Sequence, residues 1–261
     1  MQLTKARILL TGASGGLGQE LARQLGDAGA ALLLAGRDSE RLTALTASLG
    51  AGAASVCADL ERAAGIAALA GAAREFGVNV LINNAGVGAF GLLENQEWVT
   101  IERVLATNLE APIHLTHALL PWLKAQPQAA IVNIGSTFGS LPFPGFAAYS
   151  AAKAGLRGFS QALRRELADS LVAVIHLAPR AIDTPLNSAE VKALNRALHN
   201  PSDSAHDVAR QVVAALRRGA GEHHFGFPER FFAWLNGVAP SLIDRALAGK
   251  LATIKHHSPS S

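Results

Sequence analysis

A phenol and an ammonium group stand four residues apart at Tyr149 and Lys153. Side chains at this spacing share one face of a helix. An ammonium beside a phenol lowers the pKa of the phenol, because the positive charge favours the phenolate. Tyr149 is the only tyrosine in the chain, so the pair predicts a single phenol that exchanges a proton near neutral pH. A solvent-facing helix residue without a role is the alternative for Lys153 alone.

Ser136 adds a hydroxyl for the same chemistry. It follows the apolar run 130–134, which is typical of a buried β-strand. Ligands of open α/β sheets bind beyond the carboxyl ends of the strands, so the Ser136 hydroxyl is placed to hold a substrate carbonyl oxygen beside Tyr149. A cap on the loop 137–145 is the alternative. Together the three residues predict polarisation of a ketone for hydride attack.

A glycine-rich turn lies near the start of the chain, where residues 11–18 read TGASGGLG. Glycines let the backbone turn sharply and approach a pyrophosphate, and the helix that follows offers free N–H groups. The turn predicts a dinucleotide site, with a loop that binds nothing as the alternative. Residues 12–16 also match the Gly-x-Ser-x-Gly elbow of serine hydrolases. That fold needs an earlier strand for its oxyanion loop, which is missing here, so we expect Ser14 to contact phosphate.

The scaffold for these groups follows from short apolar runs that alternate with helix-period segments. Strands are predicted at 7–10, 31–35, 53–58, 78–82, 130–134, 171–177 and 223–227, and helices at 17–25, 41–49, 97–109, 148–167 and 204–216. Continuously apolar strands are buried on both faces, which requires helices on both sides. We predict an α/β fold, a Rossmann-type doubly wound domain with a seven-stranded, mainly parallel sheet and helices on both faces.

A single domain over residues 1–255 is the simplest organisation, because no repeat or linker interrupts this part of the chain. Residues 179–200 read as an irregular substrate loop at the edge of a ligand crevice. Residues 225–254 read as an aromatic, amphipathic C-terminal segment. Residues 256–261 are predicted to be a disordered tail.

The composition excludes several classes of protein. The chain has 261 residues, 49% of them hydrophobic, and a formal charge of +3, which fits an ordered globular protein without a nucleic-acid surface. Cys57 is the only cysteine, so we expect no internal disulfide and a buried thiol in a reducing compartment. We predict no secretory leader, membrane span or metal site, and a cytoplasmic location.

The glycine turn is followed by Asn83-Asn84-Ala85-Gly86 after the fourth strand and by Tyr149-Ser150-Ala151-Ala152-Lys153 at a helix start. In this order the motifs resemble those of the short-chain dehydrogenase/reductase family, over roughly the first 220 residues. The resemblance implies an oxidoreductase that interconverts a carbonyl and a secondary alcohol with a nicotinamide dinucleotide. Tyr149 would be its general acid/base, with Asn108, Ser136 and Lys153 as the other catalytic residues.

The resemblance also implies roles for individual residues. The backbone carbonyl of Asn108 would hold a water that links Lys153 to solvent, with an Asn that only interrupts its helix as the alternative. Asp59 would accept a hydrogen bond from the adenine amino group, with a helix N-cap as the alternative. Arg180 stands where the family has Gly, and would reach a phosphate, an anionic substrate group or solvent. The implied cofactor-binding residues are Gly12, Ser14, Gly15, Gly16, Leu17, Gly18, Arg37, Asp59, Leu60, Asn84, Ala85, Gly86, Tyr149, Lys153, Pro179, Ile182 and Thr184.

Gly36 and Arg37 end the second strand, where an acidic residue would bind the ribose 2′-hydroxyl of NAD. An arginine there can instead bind a 2′-phosphate through charge-assisted hydrogen bonds. We therefore favour NADP(H) over NAD(H) as the cofactor. An exposed loop arginine is the alternative.

The phenylalanines at 138, 143 and 146 and the segment 225–254 indicate a hydrophobic or acyl-like small-molecule carbonyl as the substrate. The segment is interpreted first as core packing or an oligomer interface, and second as a substrate pocket or a peripheral membrane contact. The resemblance implies a homodimer or homotetramer packed through helices 148–167 and 204–216. A non-catalytic NADP(H)-binding sensor of the same fold is the alternative function, and a serine hydrolase using Ser14 is a disfavoured one.

Overall fold

The computed structural model describes residues 1–219 and 221–259 of the chain. The strands in these residues are β1 Arg7–Thr11, β2 Ala31–Gly36, β3 Ala53–Cys57, β4 Val80–Asn83, β5 Ala129–Ile134, β6 Val172–Ala178, β7 Ile182–Asp183, β8 Asp203–Ser204 and β9 Gly221–His224. Seven of them form one sheet in the order β3-β2-β1-β4-β5-β6-β9, and each neighbouring pair is parallel. β7 and β8 pair with each other. The predicted α/β fold class with a seven-stranded sheet is confirmed.

Helices cover both faces of this sheet. They are α1 Gly16–Asp27, α2 Ser39–Leu49, α3 Ala63–Glu75, α4 Trp98–Leu105, α5 Ala111–Lys124, α6 Ala147–Glu166, α7 Ala189–Ala197, α8 Ala205–Arg218, α9 Glu229–Val238, α10 Pro240–Ala248 and α11 Leu251–His257. α1, α2 and α8 contribute to the core on one face, and α3, α5 and α6 to the core on the other. The doubly wound arrangement follows from these two cores.

The apolar strands lie in the centre of the fold because their side chains are buried on both faces of the sheet. Ile8 and Leu10 enter the first core, while Leu9 between them enters the second, and all three are fully buried. Each such side chain stabilises the fold by roughly 1.5–3 kcal/mol relative to an exposed one. The chain order reverses between β1 and β4, so the connections from these strands leave toward opposite faces and open a crevice at the carboxyl edge.

Three local expectations were wrong. Residues 179–200 are not irregular, because they contain β7 and the helix α7, which the Ser188 side chain caps by accepting from the Val191 amide. His256 and His257 belong to α11 rather than to a disordered tail, and Ser260 and Ser261 lie outside the described residues. Cys57 is exposed rather than buried, because β3 is the edge strand of the sheet.

The C-terminal segment differs in part from its first interpretation. Phe225, Ile243 and Ile254 are buried, as core packing requires. The segment also carries apolar side chains on the outside of the protein, namely Phe227, Phe231, Phe232, Trp234, Val238 and Leu242. Core packing therefore accounts for only some of its apolar residues.

Candidate active site

A cavity of about 1140 Å³ opens at the carboxyl ends of β1, β2, β4, β5 and β6. Each residue that the sequence assigned to catalysis or to cofactor binding lies in its wall: Gly12, Ser14, Gly15, Gly16, Leu17, Gly18, Arg37, Asp59, Leu60, Asn84, Ala85, Gly86, Asn108, Ser136, Tyr149, Lys153, Pro179, Ile182 and Thr184. Residues distant in sequence are thus brought to one place. The cavity is large enough for a dinucleotide and a small substrate together.

The glycine turn is packed too tightly for side chains at two positions. Gly12 has a φ of 65°, and a Cβ there would lie 2.7 Å from the Cα of Ala85. A Cβ on Gly18 would overlap the carbonyl oxygen of Gly12. The N-terminus of α1 lines the cavity just beyond this turn, so its amides and the positive end of its dipole are available to an anion. A backbone cradle of this kind fits a pyrophosphate.

The segment 84–86 is held against this turn by hydrogen bonds. The Thr11 hydroxyl oxygen accepts from the backbone amides of Asn84 and Ala85, both at 3.0 Å. The Asn84 side-chain amide donates to the Thr11 carbonyl at 2.9 Å. These bonds join the ends of β1 and β4, and they fix the backbone of Gly86 in the cavity wall.

The three residues expected to act on the substrate meet at the end of β5. Lys153 is 5% exposed, and its Nζ donates to the carbonyl of Ile134 at 2.9 Å. The same Nζ lies 5.8 Å from the centre of the Tyr149 ring. Ser136 accepts from the amide of Phe138 at 3.2 Å, as the cap alternative predicted. That cap uses only a lone pair of the Ser136 hydroxyl, and the same hydroxyl also hydrogen-bonds to Tyr149.

The pKa of Tyr149 departs from its usual value in the direction opposite to our expectation. Loss of solvation in the protein raises the pKa of the phenol, and the Ser136 hydroxyl lowers it to a smaller extent. Burial also lowers the pKa of Lys153, to about 8. At neutral pH Tyr149 is therefore a protonated phenol and Lys153 is mostly charged. This state suits proton donation by Tyr149.

A buried polar chain anchors α6, which carries Tyr149 and Lys153, to the strands. The Asn83 side-chain amide donates to the Asn133 Oδ1, and the Asn133 amide donates to the Ser160 Oγ, both at 2.8 Å. The Ser160 hydroxyl donates its own hydrogen to the Leu156 carbonyl at 2.7 Å. His176 Nδ1, 3.2 Å from the Ser160 Oγ, must therefore carry the proton and donate. The chain links β4, β5, α6 and β6 directly behind Tyr149 and Lys153.

Asn108 lies in a π-helical turn, Ala106–Glu110, between α4 and α5. It is fully buried. Its Oδ1 accepts from the amide of Val87 at 3.0 Å and its Nδ2 donates to the Val87 carbonyl at 2.8 Å. Asn108 thus holds the loop after β4 that contains Gly86 and Val87, which is more than an interruption of its helix. Insertion of one residue into a helix in this way is frequent at functional sites.

An aromatic wall surrounds the phenol on its substrate side. The rings of Phe138 and Phe146 each lie 6.4 Å from the Tyr149 ring in edge-on contacts. Phe90 stacks on Phe146 at 5.0 Å, and Phe143 stacks on Phe138 at 5.3 Å. These contacts place an apolar surface next to the Tyr149 phenol.

The C-terminal helices form a roof over this wall. The Asn236 side chain of α9 donates to the Ser140 carbonyl at 3.0 Å, and the Ser258 hydroxyl accepts from the Leu92 amide at 3.0 Å. Phe232, Ile243 and Leu247 line the cavity from α9 and α10. The segment 225–254 therefore contributes to the pocket.

Two charged residues in the cavity wall form ion pairs that the sequence did not indicate. The contact of Asp59 with adenine stays a prediction. Asp59 accepts from the Glu61 amide at 3.1 Å and pairs with Arg62 at 3.2 Å, so its carboxylate stabilises the local turn before α3. Arg180 pairs with Asp203 at 2.6 Å and with Glu229 at 3.5 Å. The guanidinium that replaces the expected glycine thus joins β8 to α9, rather than facing solvent.

Arg37 lies at the far end of the cavity with a carboxylate that the sequence analysis did not consider. Glu61 lies 3.1 Å from Arg37 and 3.4 Å from Arg103. Thr107 donates to the same carboxylate at 3.3 Å. Glu61 and Thr107 line the cavity, as do Phe90 and Lys250. Glu61 follows Asp59 by two residues, and that proximity was the one sequence signal that could have identified it.

Residues 1–219 and 221–259 contain no cluster of His, Cys, Asp and Glu suited to a metal ion. Among the same residues, no helix has the length and hydropathy of a membrane span.

Comparison with known proteins identifies relatives along most of the chain. The family described as short chain dehydrogenase matches residues 6–195. Dehydrogenase/reductase SDR family member 7B of Bos taurus is 34% identical over 264 residues, covering 94% of this chain and 81% of the relative. A short chain dehydrogenase/reductase from Burkholderia phymatum in complex with NAD superposes with a TM-score of 0.85 at 26% identity, covering 93% and 96% of the two chains. A short chain dehydrogenase from Burkholderia cenocepacia in complex with NADP gives 0.82 at 27% identity, covering 95% and 99%.

The matched region contains the glycine turn, the segment 84–86 and the Tyr149 helix, which the structure places around one cavity. The sheet order and the relatives agree with the resemblance seen in the sequence. The chain is therefore a member of the short-chain dehydrogenase/reductase family of oxidoreductases.

Proposed function

We propose that the protein interconverts a carbonyl and a secondary alcohol with NADP(H), and that Tyr149 is the general acid/base. The observation that carries this proposal is the meeting of Ser136, Tyr149 and Lys153 in the same cavity as the glycine turn. A bound nicotinamide would supply or accept the hydride. The residues of the turn and of the segment 84–86 would hold the pyrophosphate and the ribose.

Proton transfer is the task of the protein's own side chains. The phenol of Tyr149 is protonated at neutral pH because its pKa is raised. In the direction of reduction it donates this proton to the developing alkoxide, while the Ser136 hydroxyl holds the same oxygen. Lys153 is fixed on the Ile134 carbonyl and places a positive charge beside the phenol, which stabilises the phenolate left after donation. Asn108 keeps Gly86 in position and would support the return of the proton.

The proposed choice of NADP(H) rests on Arg37. β2 ends at Gly36, and the next residue, Arg37, lines the cavity and can bind a phosphate. Asp38 lines the cavity too, but its carboxylate caps α2 by accepting from the Arg41 amide. The solved relatives include complexes with NAD and with NADP, so the preference depends on this residue rather than on the family.

The proposed substrate is a hydrophobic or acyl-like small molecule. The phenylalanine wall and the helices α9 and α10 surround the phenol with apolar surface, which favours an apolar carbonyl compound.

The proposed assembly is a homodimer or homotetramer packed through α6 and α8. Light scattering is expected to give two or four times the chain mass of 27.1 kDa. A mass of one chain in solution would contradict this part of the proposal.

The test is a fluorescence titration of the purified protein with NADPH and NADH, followed by turnover of a panel of apolar ketones. We expect tighter binding of NADPH. Tyr149→Phe is expected to bind NADPH like the wild type and to lose turnover by at least about a hundredfold, since it lacks only the acidic hydroxyl. Binding of neither nucleotide would overturn the proposal, and binding without turnover of any carbonyl would favour a non-catalytic sensor.

A further inference from the structure

The Arg37 guanidinium is already engaged in this structure through one of its N–H groups. It is paired with the carboxylate of Glu61 at 3.1 Å, and Glu61 also contacts Arg103 at 3.4 Å. The Thr107 hydroxyl donates to the same carboxylate oxygen. Glu61 is therefore fixed by residues just after β2, on α4 and in the π-helical turn that follows α4. Its side chain lines the cavity and is 30% exposed.

A phosphate group that approaches Arg37 meets two obstacles. The guanidinium must leave the Glu61 carboxylate or share its N–H groups with it. The carboxylate and the incoming phosphate also repel one another, because both are anionic and only a few ångströms of partly hydrated space would separate them. A cofactor with a free 2′-hydroxyl meets neither obstacle. Glu61 therefore acts selectively against the 2′-phosphate.

We infer that Glu61 is a specificity-determining residue that weakens NADP(H) binding by holding Arg37 away from the 2′-phosphate. The inference rests on the proposed binding of the 2′-phosphate by Arg37. Its expected size is modest, since the Arg37 side chain is 54% exposed and exposed ion pairs are weak. Loss of the carboxylate is expected to tighten NADPH binding about three- to fivefold and to leave NADH binding nearly unchanged.

The test is a set of fluorescence titrations with NADPH and NADH on the wild type, Glu61→Gln, Arg37→Ala and the double variant. Glu61→Gln is expected to raise the ratio of NADPH to NADH affinity. The gain is expected to be clearly smaller in the Arg37→Ala background, because the carboxylate then has no guanidinium to hold and only its repulsion of the phosphate remains. Glu102→Gln is the matched control. This substitution removes the same charge from the exposed side of α4, and Glu102 forms no ion pair with Arg37 among the described residues.

The outcomes separate the inference from the proposal beneath it. If Arg37→Ala lowers the affinity ratio and Glu61→Gln leaves it unchanged, the inference is wrong and the proposed cofactor preference stands. If the gain is undiminished without Arg37, the carboxylate acts by direct repulsion alone and the restraint of Arg37 is wrong. If Arg37→Ala leaves the ratio unchanged, both the preference and the inference are wrong. Retained NADH binding shows in each case that the variant is folded.

Discussion

At the scale of single residues, burial sets the protonation of the cavity, because it raises the pKa of Tyr149 and lowers the pKa of Lys153. The spacing of Tyr149 and Lys153 correctly placed both on α6, and Ser136 lies at the end of β5 as expected. The expected fall in the pKa of Tyr149 was wrong, because desolvation outweighs the influence of its neighbours. Spacing reports which groups are adjacent, whereas desolvation depends on every element packed around them.

Lys153 is predicted to lower the free energy of unfolding, because its charged ammonium is buried. Its pKa falls from 10.5 to about 8 on folding, which corresponds to a penalty of about 3 kcal/mol for the charged form at neutral pH. Replacement also leaves the Ile134 carbonyl without its partner, at about 1–2 kcal/mol. Lys153→Met is therefore expected to raise the free energy of unfolding by about 1 kcal/mol at neutral pH. Turnover, which we propose to need the ammonium, is expected to fall at the same time.

The pH dependence of that gain identifies its cause. Between its folded pKa of about 8 and its unfolded pKa of 10.5, Lys153 holds a proton in the unfolded chain and not in the folded one. The stability of the wild type therefore rises with pH across this window. Urea unfolding of both proteins at several pH values is expected to show the advantage of Lys153→Met shrinking from pH 8 toward 10.5. A constant difference across that range would contradict the assignment to desolvation.

Glu61 shows what single-sequence reasoning misses at this scale. Its partners, Arg37 and Arg103, are 24 and 42 positions away in the chain, on different elements. Periodicity and motif order do not report such pairs.

At the scale of elements, the alternation of apolar runs was sufficient for the first six strands to within about two residues. The seventh, predicted at 223–227, is Gly221–His224, because polar residues occupy this edge strand and the apolar signal comes from Phe225 beyond it. The short helix α7 was missed because its nine residues bury only one side chain, that of Leu194. A single buried residue gives no hydrophobic periodicity in the sequence. The exposure of Cys57 depends on β3 being the edge of the sheet, which the run of apolar residues does not reveal.

The turn between β1 and α1 is predicted to tolerate no methyl group at Gly18. An added Cβ would overlap the Gly12 carbonyl oxygen, so the amides at the start of α1 must move away from the pyrophosphate position. Gly18→Ala is expected to weaken binding of both NADPH and NADH by at least about tenfold.

Gly71→Ala is the matched control for this prediction. Gly71 lies in the middle of α3, and a Cβ there would meet no atom within 4 Å. The substitution is expected to leave nucleotide binding unchanged and to stabilise the protein by about 0.5–1 kcal/mol, since alanine favours a helix more than glycine does. Unchanged binding by Gly18→Ala in calorimetric titrations would show that the tight turn does not hold the cofactor.

At the scale of the whole molecule, one buried polar chain joins the neighbouring strands β4, β5 and β6 to α6 behind the site. It ends at His176, which is fully buried and whose Nε2 has no hydrogen-bond partner among the described residues. Burial lowers the pKa of His176 to about 4, well below its ordinary value of 6.5. The imidazole is therefore neutral in the folded protein, and acid must charge it before or during unfolding.

His176 is predicted to limit stability in acid. Because the folded pKa lies below the unfolded one, the stabilisation is complete above pH 6.5 and is lost as the pH falls toward 4. Between about pH 7 and about pH 5 the free energy of unfolding is expected to fall by about 2 kcal/mol through this group. Glu222, whose pKa is lowered mainly by its hydrogen bond from His224, adds a further loss at still lower pH.

Urea unfolding at these pH values checks the assignment. His176→Gln is expected to be less stable at neutral pH and to show a smaller loss on acidification. His256→Gln, on the exposed surface of α11, is the control and is expected to follow the wild type. An equal loss in all three proteins would place the acid sensitivity elsewhere.

Three expectations concern the chain as a whole, namely its domain organisation, its assembly and its location in the cell. The single domain over residues 1–255, the assembly through α6 and α8, and the cytoplasmic location stay predictions. The exposed residues of α9 and α10, among them Phe231 and Trp234, belong to the same helices that line the pocket. Substitutions on their outer face can therefore alter the pocket as well.

Because the chain has only one tyrosine, the ionisation of Tyr149 can be measured by absorbance and by nuclear magnetic resonance without interference from other tyrosines. Ionisation of a phenol changes its near-ultraviolet absorbance, and the three tryptophans do not ionise, so an alkaline difference spectrum reports Tyr149 alone. Isotope-labelled tyrosine would likewise give a single set of nuclear resonances. The proton that we propose to be transferred in catalysis can thus be followed in the unmodified protein, during nucleotide titrations and without a mutation at the site.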